Sequence, residues 1–340
     1  MTVTLRSFAK INLGLRIGAR RNDGFHELLT VYQTIGLYDL IQIRIERGSG
    51  IEILCTDPRV PRDETNTCYR IAELAMQSLG SRGRIVIKIQ KRLPIQGGLG
   101  AASSNAVSTL IGLQRGLRKS LPAIESLRIA AEVGSDLPLF LLGGTVLGAG
   151  RGEEVYPLAD LPATACVVVT PEVGVSTPSA FADWDETRAA EPDLAGQPRA
   201  TLPRKFQRKL TLTGASDRMN ELGCSFSAWL SEQYSGAPFG RGRAENPLLA
   251  LVRAGIKNDF EQVVFPEHPE LVEVKKALLR EGAKYASLSG SGSSLYGLFS
   301  SKAAAVGATA RLRKHGWKAQ ATSTLPRRTY WNRLFGSTNF

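Results

Sequence analysis

Apolar residues at alternate positions open the chain. Val3, Leu5, Ala9, Ile11, Leu13, Leu15 and Ile17 fall on odd numbers, which predicts a strand with one buried face. On that reading Lys10 and Asn12 share the opposite, open face. Asn22-Asp23-Gly24 marks a turn that presents Phe25 and His26 at the start of a second strand, which also carries Tyr32. A further alternation, Ile85, Ile87 and Ile89 against Val86, Lys88 and Gln90, predicts another strand, stopped by Pro94. Val107, Leu110, Ile111 and Leu117 then recur at helical spacing, and a helix around Ile124 to Ala131 is closed by Gly134.

The pattern breaks near residue 150 and a second unit begins. Val167 to Val169 form a short apolar strand. From Asp183 to Arg218 the chain turns polar with little periodicity, which predicts a flexible insertion. Met219, Leu222, Phe226, Trp229 and Leu230 predict one packed helix just beyond it. Further on, Leu271, Val274 and Leu278 share a helix face, with Gly282 as its cap. The Ser/Gly run inside Tyr285 to Phe299 is hugged by Leu288, Leu295, Leu298 and Phe299, so it reads as a tight loop between two buried strands. A helical stretch from Ala303 to Leu312 precedes a basic tail. The expected division is residues 1–160 and 161–340, with a polar insertion around 184–246.

Composition narrows the class. A chain of 340 residues, 43% hydrophobic, can bury a sizeable core. Its longest apolar stretch, Leu137 to Leu147, is interrupted by Pro138, Gly143 and Gly144 and falls short of the roughly 20 residues of a membrane span. No basic-then-apolar leader opens the chain, so the expected location is cytoplasmic. Cys55, Cys68, Cys166 and Cys224 are scattered, without zinc-ligand spacing. The formal net charge of +12 suits an anionic partner, whether nucleotide, RNA or acidic lipid. Much of the excess sits in Arg199 to Arg243 and Arg311 to Arg333 rather than along one helix, which weakens the nucleic-acid reading.

The chemistry centres on the stretch from Pro94 to Asn105. Gly97, Gly98 and Gly100 let main-chain N–H groups converge on an anion where a helix begins. The plainer alternative is a helix cap at Ser103 or Ser104. Lys10 beside such a loop can neutralise a transferring phosphoryl group or hold a carboxylate. Asp136 is the candidate carboxylate: it can N-cap the segment containing Pro138, or accept or align a substrate hydroxyl. Phe25, His26 and Tyr32 are either ordinary packing or a platform that stacks on a planar base.

Three separated segments, Ala9-Lys10-Ile11-Asn12-Leu13, Pro94 to Ser104 and Leu288 to Ser294, resemble motifs of the GHMP kinases. That resemblance implies an α+β, two-domain fold, with a ribosomal-S5-domain-2-like N-terminal domain and a ferredoxin-like C-terminal domain. It implies transfer of the ATP γ-phosphoryl group, aided by Mg²⁺, to a small-molecule hydroxyl. Asp23-Gly24-Phe25-His26 and Gly134-Ser135-Asp136-Leu137-Pro138 resemble members whose acceptor is the 2-hydroxyl of diphosphocytidyl-methylerythritol. The alternatives are a homoserine or mevalonate type of kinase, or a basic RNA-binding module. The resemblance makes Lys10 and Asp136 the catalytic pair. It assigns Asn66, Lys91, Pro94, Gly97, Gly98, Leu99, Gly100, Ala101, Ala102, Ser103 and Ser104 to ATP. Asn12, Phe25, His26, Tyr32 and Phe181 go to the acceptor, and Gly290, Ser291 and Gly292 close the phosphate site from the second domain. It implies neither a nucleic-acid nor a membrane partner and names no metal ligand. Gln96, Ala101 and Ala102 stand where glycine is usual, and Phe25 where tyrosine is more common.

Overall fold

The computed structural model describes residues 2–190 and 257–335. Two long strands, β1 (Thr2–Arg20) and β2 (His26–Glu46), form an antiparallel hairpin through the middle of the molecule. Around it a six-stranded sheet adds β3 (Ile51–Cys55), β4 (Arg84–Gln90), β5 (Thr145–Ala149) and β6 (Glu154–Pro157). The far half of β2 pairs with β4 and the near half with β5, and only β3 and β4 run parallel. The helices of this unit are α1 (Thr67–Ser78), α2 (Ala101–Leu117), α3 (Ala123–Val133) and α4 (Leu137–Leu142).

The second sheet is antiparallel and has four strands, ordered β10 (Ala319–Ser323), β7 (Ala165–Val169), β9 (Leu295–Phe299), β8 (Tyr285–Leu288). With it pack α5 (Thr177–Ala190), α6 (Glu261–Glu267), α7 (Pro269–Arg280) and α8 (Lys302–Lys314). The last helix, α9 (Arg327–Leu334), returns to the first unit, where Tyr330 and Leu334 join its core.

Three hydrophobic clusters order these parts as layers. The first lies between the first sheet and α1–α4, and the third between that sheet and the inner face of the second, where Ala9, Ile11 and Leu13 meet Cys166, Val168, Tyr296 and Leu298. The remaining cluster covers the outer face of the second sheet with helices. The hairpin is therefore buried on both faces, and this corrects the single buried face expected for β1. The faces exchange between Leu5 and Phe8, which both join the first cluster, next to a register shift where Gly36 and Leu37 of β2 have no partner on β1. Before it, Val3 and Leu5 point to the helices; after it, Ala9 and Ile11 point to the second sheet. Such a change of face leaves the alternation of apolar residues in the sequence unbroken. Lys10 and Asn12 consequently turn toward the helix layer and are only 3% and 1% exposed.

Two other expectations change. The polar stretch from Asp183 begins as helix, since α5 continues to Ala190, with Trp184 buried. The rest of the expected insertion, and the helix expected at Met219 to Leu230, lie outside the described residues. The basic tail contains β10 and α9, held by Tyr330 Oη donating to the Phe140 carbonyl at 2.7 Å and Trp331 Nε1 donating to that of Leu142 at 3.0 Å.

Candidate active site

The Pro94 to Ser104 stretch crosses from β4 to α2 as expected, and its conformation is one that glycine makes possible. Gly98 and Gly100 have φ of +71° and +66°. A methyl group added at Gly98 would lie 2.0 Å from the Ser289 carbonyl oxygen, so the loop and the Leu288 to Ser294 loop touch through backbone. Ser289 Oγ donates to the Gly98 carbonyl at 2.9 Å and Ser294 N to the Gly97 carbonyl at 3.2 Å. Gln96 takes φ +57°, the left-handed region that explains why glycine suits its position.

Helix α2 begins at Gly100 with no side-chain cap and no acidic residue in its first turn. The helix-cap alternative at Ser103 or Ser104 therefore fails, and free N–H groups remain at the positive end of the helix dipole. Ser104 instead points into the core, accepting a hydrogen bond from Ser7 Oγ at 2.8 Å. Next to the helix end lies a cavity of about 480 Å³. Its lining includes Asn66, Lys91, Pro94, Gly97 to Ser103 and Thr177. Asn66 caps α1 by accepting from Cys68 N, and its amide donates to the Pro61 carbonyl. Lys91 pairs at 2.5 Å with Asp39, which is fully buried and also accepts from Arg92 N, Leu93 N and Asn105 Nδ2. Asp39 was not anticipated, although an acid within an apolar strand signals a buried anchor.

At the other side of the loop stands Lys10, whose backbone N donates to the Leu99 carbonyl. Its ammonium donates to Asn12 Oδ1 at 2.7 Å and lies 3.2 Å from Asp136 Oδ2. Asn12 is fixed in turn by donating to Thr30 Oγ1, and its carbonyl accepts from the buried Tyr296 hydroxyl. Asp136 precedes α4 but caps nothing with its side chain, which is about a third exposed. The capping alternative thus gives way to an open carboxylate beside a buried lysine. Gly290 comes from the second unit to within about a side chain's width of this pair: a methyl there would lie 3.4 Å from Lys10 Nζ. Asn258, also unanticipated, pins that loop by donating to the Leu288 and Gly290 carbonyls. Ser291 Oγ shares a 2.7 Å hydrogen bond with Thr177 at the start of α5.

The aromatic residues separate into two places. At the hairpin tip the His26 ring stacks on Phe181 with centroids 4.9 Å apart and planes 5° from parallel, and Phe181 meets Phe260 edge-on. His26 Nε2 is 2.7 Å from Asp185 Oδ1. Phe25 is half exposed, with the Arg151 guanidinium 4.9 Å from its ring centre. Tyr32 does not join them. Six residues along β2, about 20 Å at strand rise, it lies beside Lys10 and donates its hydroxyl to Asp136 Oδ1 at 3.0 Å. Burial, reinforced by the Asp136 carboxylate, pushes the Tyr32 phenol well above its ordinary value. The structure thus moves Tyr32 from the expected base platform to the charged pair.

A helix N-terminus bare of acid, two interlocked glycine loops and a Lys–Asp pair between them define the class of small-molecule kinases with the GHMP architecture. Residues 66–144 match the family model "GHMP kinases N terminal domain" and residues 244–316 "GHMP kinases C terminal". Within that class the chain belongs to the 4-diphosphocytidyl-2-C-methyl-D-erythritol kinase family. It is 37% identical to the family's protein from Solibacter usitatus, over 87% of this chain and 80% of the relative. To that from Geobacter sulfurreducens it is 31% identical, over 95% and 99%. A crystal structure of 4-(cytidine 5'-diphospho)-2C-methyl-D-erythritol kinase superposes with a TM-score of 0.68 at 29% identity, covering 94% of this chain and 98% of the other. The homoserine kinase from Cytophaga hutchinsonii, at 19% identity and a TM-score of 0.66 over 97% and 96%, shares the fold.

Proposed function

We propose that the protein transfers the γ-phosphoryl group of ATP to the 2-hydroxyl of 4-diphosphocytidyl-2-C-methyl-D-erythritol. The observation that carries this reading is the Lys10–Asp136 pair, 3.2 Å apart and facing the bare start of α2. The nucleotide occupies the cavity beside Asn66 and Lys91, with its phosphates against the N–H groups of the loop and of the first turn of α2. Lys10 attracts the negative charge that spreads over the transferring group. Asp136 accepts the hydrogen bond of the acceptor hydroxyl and aligns it. The hydroxyl oxygen bonds to the γ-phosphorus, the bond to the βγ-bridging oxygen breaks with its electron pair leaving on ADP, and the hydroxyl proton passes to the carboxylate.

Mg²⁺ suits this donor set. Among the described residues there is no group of three metal-ligating side chains, and Mg²⁺ takes most of its ligands from phosphates and water. Ser103, which lines the cavity at the start of α2, would hold it, and the ion would supply neutralisation of charge on the β- and γ-phosphates.

The acceptor follows from the separation of the two aromatic places. A base held between Phe25 and the His26–Phe181 stack lies far from Asp136, which suits a long acceptor carrying its base on a diphosphate tether. Homoserine and mevalonate are too short to reach both. The test is ADP release from ATP with each of the three acceptors. Turnover with the cytidyl compound alone is expected, and preference for homoserine or mevalonate would overturn the reading.

A further inference from the structure

We propose that Tyr32 is a positioning residue for phosphoryl transfer: its hydroxyl fixes Asp136 in the orientation that receives the acceptor, and it contacts no part of the base. This rests on the transfer reading above. The Asp136 carboxylate has its two oxygens divided between two partners, Oδ1 accepting from the Tyr32 hydroxyl at 3.0 Å and Oδ2 facing Lys10 Nζ at 3.2 Å. A carboxylate just before a six-residue helix, a third exposed and with no capping bond of its own, would otherwise swing about its side-chain torsions. Two fixed contacts on different oxygens remove that freedom and leave the outward lone pairs for the acceptor hydroxyl.

The surroundings are shaped around this phenol. The Tyr32 residue is 2% exposed, and its ring lies 5.5 Å from the Lys10 ammonium. A methyl group at Gly148 would stand 2.4 Å from the ring, and one at Gly152 would stand 2.5 Å from the hydroxyl oxygen. Gly148 in β5 and Gly152 in the β5–β6 turn therefore leave room for the ring and its oxygen. Among the described residues the hydroxyl's only hydrogen-bond acceptor is Asp136.

The test is a double-mutant cycle between Tyr32→Phe and Asp136→Ala. It is run with whichever of the three acceptors the wild type phosphorylates, so that a wrong acceptor overturns the functional reading and leaves this test standing. Tyr32→Phe keeps the ring and is expected to lower kcat about ten- to a hundredfold, as small misplacements of a reacting group do, with KM for both substrates unchanged. In the Asp136→Ala background it should cost nothing further, because the phenol acts only through the carboxylate. Thermal melting of each variant confirms the fold. Equal losses in both backgrounds, unchanged kcat, or a raised acceptor KM at constant kcat would each overturn the proposal.

Discussion

The middle and the tip of the same hairpin carry different kinds of chemistry. In the middle, Lys10, Asn12, Thr30 and Tyr32 are buried and joined by hydrogen bonds to one another, to backbone or to Asp136. At the tip, His26 stacks on Phe181 and meets Asp185, and Phe25 stands half in solvent. Geometry to a fraction of an ångström matters where bonds break, and long paired strands supply it. Recognition of a planar base needs area and a few polar contacts, which rings near a turn supply more loosely. Along one pair of strands the protein passes from a buried hydrogen-bonded network to stacked rings beside solvent.

The strongest way to break this contrast is at its rigid end. Asp136→Ala should lower kcat about a thousandfold with ATP affinity nearly intact, because the carboxylate acts on the acceptor hydroxyl. Loss of ATP binding with normal turnover at saturation would contradict its role. Next, glycine substitutions should separate the two places by stability. Gly98→Ala drives a methyl against the Ser289 backbone and should cost at least about 2 kcal/mol together with most ATP binding. Gly24→Ala at the tip meets nothing within 4 Å and bears only the strain of φ +86°, about 1 kcal/mol. Melting curves with and without ATP distinguish them, and equal losses would remove the contrast. The smallest effect belongs to recognition. His26→Ala should raise the KM for the cytidyl acceptor about tenfold through lost stacking and leave the KM for ATP unchanged; an equal rise in both would take the base away from the tip.

Much of this was legible in the sequence because loops and strands carry local signals. The glycines of 97–100 and 290–292, the turn at Asn22-Asp23-Gly24 and the alternation of β4 each express a backbone requirement at the residue that meets it. Asp136 stood out by its glycine and proline neighbours. What was not legible depends on partners distant in the chain. The face Lys10 occupies is set beside a bulge in β2, where Gly36 and Leu37 lie between Tyr38 and Ile35, and nothing in Phe8-Ala9 itself announces it. Tyr32 read as a platform because an aromatic on a strand does not say which carboxylate, here 104 residues on, its hydroxyl will meet. Asn258 and Asp259 lie in a short link without periodicity, yet Asp259 forms a buried ion pair with Arg16 and accepts from Ile17 N, joining the second unit to the hairpin. Helix α9 hid in a basic tail because only Tyr330 and Leu334 of its eight residues are buried.

Helix α9 has a consequence for the order in which the fold is assembled. Tyr330 and Trp331 complete the backing of α4, whose first residue follows Asp136, and Arg327 donates to the carbonyls of Thr145 and Leu158 at the adjoining strands. The support behind this carboxylate comes from far along the chain, since Tyr330 lies 190 residues beyond the Phe140 it holds. A chain cut before residue 327 would keep both glycine loops and the lysine, yet lack the brace for the carboxylate proposed to align the acceptor. Competence in phosphoryl transfer thereby waits on α9 packing back onto the first unit.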